Sequence, residues 1–99
     1  MFAQVIEAIV APAGRPELAR LVRETVVPAF RQEDGFAGAV GMVESGTGRA
    51  MMVAFWECEA QARIPPEHRG ETVRIALAGL ELLSAGRQSI STWEVGIEL

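Results

Sequence analysis

The chain has 99 residues, 49% of them hydrophobic, and a formal net charge of −4 at pH 7, which is room for one domain, residues 1–99, with one core. Its basic residues are all arginines, scattered from Arg15 to Arg87; without a basic run nothing tracks a phosphate backbone, so no nucleic acid is expected. The lone Cys58 excludes a disulfide framework, a zinc cluster and a Cys-x-x-Cys redox pair.

The segment Met1-Phe2-Ala3-Gln4-Val5-Ile6-Glu7 lacks a basic start and meets a glutamate too early for a secretory signal. No apolar stretch approaches the roughly 20 residues that cross a bilayer. The expectation is a cytoplasmic protein with no membrane partner. A chain of this length buries roughly 65% of its unfolded surface, and a composition this apolar leaves surface that one copy cannot cover. A homodimer is the expected cover.

Phe2 to Val10 is β-branched and apolar and stops at the turn signal Ala11-Pro12-Ala13-Gly14, which predicts a first strand. Pro16 opens a helix whose stripe is Leu18, Leu21, Val22, Thr25 and Ala29. Pro28 should loosen its last turn, and Glu33-Asp34-Gly35 ends it. Phe36 to Glu44 and Arg49 to Glu57 flank Ser45-Gly46-Thr47-Gly48 and read as a hairpin. Placing Glu44 opposite Arg49 sorts the side chains into two faces. One carries Phe36, Val40, Met42, Met51, Val53 and Phe55; the other carries Ala37, Ala39, Gly41, Val43, Ala50, Met52, Ala54 and Trp56. The bulky face is expected against the helices. The small face would leave space above the sheet, either as a pocket floor or as room for another layer.

A short helical segment follows Glu59 and breaks at Pro65-Pro66. A second long helix is expected from about Glu67 to Leu83, with Gly86 beyond its end. Its core stripe is Val73, Ala76, Leu77, Leu80 and Leu83; Ile75, Gly79 and Leu82 widen the apolar arc beyond what one sheet needs. Ser89 to Ile97 reads as the last strand. This β-α-β-β-α-β order is the ferredoxin-like α+β arrangement, with both helices on one face of the sheet. Two such sheets stacked across a two-fold axis would cover the bare face and enclose a cavity between them.

Three stretches carry a family resemblance: Val27-Pro28-Ala29-Phe30 before Glu33-Asp34-Gly35-Phe36-Ala37-Gly38-Ala39, then Phe55-Trp56-Glu57-Cys58, then Pro66-Glu67-His68. In these the chain resembles the dimeric α/β-barrel proteins of the antibiotic-biosynthesis monooxygenase type. The resemblance implies a homodimeric barrel and a cofactor-independent monooxygenase acting on a small aromatic such as a phenol, quinol or anthrone. The same fold also serves as a non-catalytic or stress-associated binding protein. The chain has no Asn and no Tyr, which argues against the Asn-Trp-His chemistry of the haem degraders that share this fold.

His68 is the only histidine and could abstract a phenolic or enolic proton; otherwise it is a solvated surface residue. Trp56 could stack on a flat ligand, or fill the barrel end or dimer seam. Trp93 poses the same choice, and Met52 projects from the small face. Gln4 and Glu7 are the polar residues of the first strand. Whichever lies inside the barrel could orient a ligand or act as a base.

Overall fold

The computed structural model describes residues 1–84 and 88–96. Strands β1 (Phe2–Ile9), β2 (Phe36–Val43), β3 (Arg49–Trp56) and β4 (Ser89–Glu94) form one antiparallel sheet in the order β2-β3-β1-β4. β1 and β2 therefore run parallel with β3 between them, the split β-α-β unit of a ferredoxin-like domain. The expected Gly86 and Ile97, one after the second helix and the other ending the last strand, lie outside the described residues.

The first crossover is a continuous helical run: α1 (Arg15–Leu21), a wider π-helical turn Val22–Val26, and α2 (Val27–Phe30). Pro28 explains the widening. It has no N–H, and its ring would collide with the carbonyl of Glu24 in a regular helix. The second crossover holds the short α3 (Glu59–Ala62), a 3-10 turn Pro66–His68, and α4 (Glu71–Leu83). The long helix thus begins four residues later than the sequence indicated. Pro65-Pro66 forces a tight turn, and Gly70 takes the cap position with φ −57° and ψ 157°.

In the hairpin, Glu44 N–H donates to the Arg49 carbonyl at 2.8 Å, so these two residues do face each other. Their side chains part company: Arg49 reaches Glu7 on β1 at 3.2 Å, and Glu44 accepts from Thr47 Oγ1 at 2.6 Å. Gly48 closes the loop with φ +76°, and a Cβ there would stand 2.6 Å from the Val10 carbonyl oxygen. Gly48→Ala should lower stability by at least about 1–2 kcal/mol, the cost of left-handed backbone for a residue with a Cβ. A lower urea midpoint at unchanged m would register it.

The two faces of the hairpin separate as their register requires, but the helices cover the opposite one from that expected. Ala50, Met52, Ala54 and Trp56 are buried under the helices together with Ile6, Val26, Ala29, Phe30, Val73, Ala76, Leu77 and Leu80. Here the bulk comes down from the helices, and the alanines of β3 give it room. Phe36 joins this core because a bulge between Phe36 and Gly38 shifts it by one position, setting it opposite Trp56. The other face holds Val40, Met42, Met51, Val53, Phe55, Val5 and Trp93. No helix covers it, and Val40, Met42 and Trp93 remain 47%, 50% and 60% exposed. On α4, Ile75 and Leu82 also stay exposed, whereas a Cβ on Gly79 would stand 3.4 Å from the Leu21 side chain, so the glycine lets the two helices approach.

Candidate functional site

The small residues on the helix-covered face do leave space, but only at one end of the sheet. Near Trp56 it is filled. Phe30, Phe36 and Trp56 pack as an aromatic trio with centroids 5.5–6.0 Å apart. The guanidinium of Arg69 lies over the indole with its carbon 3.9 Å from the ring centroid. Arg69 Nη2 donates to the Gln61 carbonyl at 2.8 Å and to Gln4 Oε1 at 3.3 Å, and Gln4 Nε2 donates to the Ile64 carbonyl at 2.8 Å. Arg69 is buried, and this desolvation pulls its pKa down against the pull of Glu33 upward. Trp56, Gln4 and Arg69 thus form a closed cluster that no ligand reaches.

At the other end of the sheet the helix-covered face opens. There a cavity of about 260 Å3 lies between the sheet and the helices. Its floor is Ile6, Ala8, Gly41, Ala50 and Met52; Leu18, Val22 and Leu80 come down from the helices. The floor is deep because Gly41 and the alanines carry so little side chain. A Cβ on Gly41 would meet nothing within 4 Å. Ser84 and Gln88 supply neutral polar atoms, and Arg15 and Arg23 the charged ones; no carboxylate or imidazole lines it among the described residues. The π-helical turn matters here, since Val22 and Arg23 both belong to it and to the cavity wall. Wide turns of this kind recur at functional sites.

The residues singled out from sequence fall in four places. Met52 lines the cavity. Trp56 and Gln4 belong to the closed cluster, so Trp56 offers no ring face for stacking. Glu7 and Trp93 lie on the helix-free face, Glu7 paired with Arg49 and Trp93 Nε1 donating to Ser91 Oγ at 2.8 Å. His68 is exposed on the 3-10 turn, outside both the long helix and the cavity lining. The small face, expected to stand clear of the helices, is the one they cover, and the described cavity lies on that side of the chain. Sequence reasoning finds Gly41 on the small face but misses Arg15 and Arg23 as site residues. The available signal is Pro28, four residues beyond Glu24, which shifts the helical phase ahead of it.

No family model matches the chain, and no curated relative does. Solved structures match over nearly its whole length. A monooxygenase from the gene ActVA-Orf6 of Streptomyces coelicolor, in complex with the ligand nanaomycin D, has TM-score 0.75 at 24% identity over 99% of this chain and 90% of that one. A crystal structure of an antibiotic biosynthesis monooxygenase gives 0.73 at 15%, covering 98% and 100% of the two chains. This chain has the antibiotic biosynthesis monooxygenase fold. A mutant of MhuD with two manganese protoporphyrin IX bound per active site shares that fold too, at TM-score 0.73 and 20% identity, over 100% and 98% of the two chains. Two of these solved structures thus hold a bound molecule, nanaomycin D in one and manganese protoporphyrin IX in the other. Among the described residues no helix is long and apolar enough to cross a membrane.

Proposed function

We propose that this chain is a cofactor-independent monooxygenase that takes a small electron-rich aromatic, of phenol, quinol or anthrone type, into the cavity between its sheet and helices, and that it works as a homodimer. The carrying observation is the apolar cavity on a fold shared with a Streptomyces monooxygenase that holds nanaomycin D. Its volume lies just under the roughly 300–1,000 Å3 usual for small-molecule sites. For a ring methylene beside a ketone, dioxygen converts the methylene to a carbonyl and a single water is released. The substrate loses a proton and its enolate reduces oxygen; one oxygen atom stays as the new carbonyl and the other leaves as that water, carrying both methylene hydrogens. The substrate supplies all the electrons. The protein supplies water exclusion and orientation.

A second reading, binding without turnover, is favoured by one specific observation. The described lining contains no side chain that would take the proton, and His68 stands outside it. Oxygen uptake with an anthrone and hydroquinone panel separates the two. Binding with rates equal to buffer supports the binding protein; rates above buffer that depend on the cavity support the oxygenase.

The control for cavity dependence is Gly41→Leu. Its side chain enters open space, so it should abolish ligand binding while the fold survives. Removing a strand glycine adds roughly 0.5–1 kcal/mol of stability. A melting temperature equal to or above wild type, with binding lost, is the expected pair of results. Retained binding would move the ligand elsewhere.

The uncovered face supports the homodimer. Val40, Met42, Val53, Phe55 and Trp93 make an apolar sheet surface that a second copy would cover by the same surface.

A further inference from the structure

We propose that the molecule bound in the cavity carries an anionic group, a carboxylate or an ionised phenol or enol, and that Arg15 is the residue that selects it; this rests on the cavity being the ligand site. The charged residues lining the cavity are Arg15 and Arg23, both positive, on a chain whose net charge is −4. No acid stands among the described lining to neutralise them.

Arg15 is held in place but not satisfied. Its Nη2 makes one long contact, 3.5 Å to the Ser45 carbonyl, and its Nε is buried with no hydrogen-bond partner. It forms no ion pair among the described residues, although Arg20, Arg49 and Arg63 each have one. Arg23 is exposed, likewise unpaired among the described residues, and further along the same wall on the wide helical turn. An apolar chamber with a half-buried guanidinium in its wall fits a molecule that is apolar over most of its length and anionic at one end. The planar guanidinium matches the planar geometry of carboxylates, phenolates and enolates. A neutral hydrocarbon would bury Arg15 further without giving it an acceptor, at a desolvation cost.

The same arrangement gives Arg15 a part in the oxygenase reading. A guanidinium beside a ring hydroxyl or ketone favours the ionised form, so the substrate can bind as its anion with its proton already given up to bulk water, and the lining needs no base of its own.

The test uses two molecules of nearly equal shape, 2-naphthoate and its neutral counterpart 2-acetylnaphthalene, each competed against the fluorescent neutral probe N-phenyl-1-naphthylamine. Wild type should bind the naphthoate at least about tenfold more tightly than the ketone. Arg15→Gln should remove that preference and leave the ketone and the probe unchanged, which also reports an intact cavity; Arg15→Lys should restore part of it. Equal affinities in wild type, or a preference that survives Arg15→Gln, would overturn the anion assignment and leave the cavity reading standing. Binding of neither compound nor probe would overturn the cavity reading, and this inference with it.

Discussion

Trp56→Ala should remove about 3–5 kcal/mol of folding stability, the usual cost of truncating a large buried aromatic. That is a large share of the roughly 5–15 kcal/mol of a typical domain. Trp56 is 0% exposed, touches both Phe30 and Phe36 edge-on, and carries the Arg69 guanidinium on its face. Alanine would leave a cavity and also strand a buried cation without its aromatic platform. Trp56→Phe should cost far less, for two reasons. A phenyl ring keeps a platform for Arg69, and the substitution removes the indole N–H, which is buried without a partner. A double-mutant cycle of Trp56→Leu with Arg69→Met, read by urea denaturation, isolates the cation–ring coupling at about 0.5–2 kcal/mol. Trp56→Ala at a cost below about 1 kcal/mol would contradict the packing described, since buried aromatics so truncated lose several times that.

Val40→Glu should weaken self-association by at least about a hundredfold while leaving each protomer folded, because an unpaired carboxylate is costly to bury. Val40 is 47% exposed on the edge strand β2, so a glutamate there meets water in an isolated chain. Between two copies of the same apolar face, the carboxylate would be desolvated against Val53 and Phe55 or their counterparts, and each roughly 1.4 kcal/mol of that cost is a tenfold loss of affinity. Sedimentation equilibrium gives the association constant, and thermal unfolding at low concentration gives the protomer's stability. A wild-type chain that sediments as a monomer at micromolar concentration would sink the homodimer before any variant is made. A Val40→Glu dimer of undiminished affinity would place the contact on another surface, such as the exposed Ile75 and Leu82 of α4.

The order of elements, the hairpin register and the stripe on α4 are legible in the sequence because each is a local pattern. Val73, Ala76, Leu77 and Leu80 repeat at helical spacing and are all buried. Which sheet face the helices cover is not legible. Strand patterning shows that two faces differ, but apportioning volume between a strand and the helix above it needs both partners at once. Phe30 and Val26 share one buried core with Ala54 and take up the room that a reading of β3 alone gives away. The start of α4 escapes for a related reason: Glu67 and His68 are acceptable in a helix, and only Gly70 with its extended ψ marks the true cap. Arg15 and Arg23 are not singled out by the sequence because the π-helical turn, a response to Pro28, alters which residues face inward.

The placement of β2 has a consequence for handling the protein. Phe36-Ala37-Gly38-Ala39-Val40-Gly41-Met42-Val43 is an uncharged, apolar edge strand, the profile that recruits a further strand from another molecule. Its protection is the bulge at Gly38, which twists the edge, and the glycines that lower its extended propensity. Gly41→Leu exchanges one of those safeguards for a filled cavity, so the variant that melts higher should also aggregate sooner from a heated or concentrated solution.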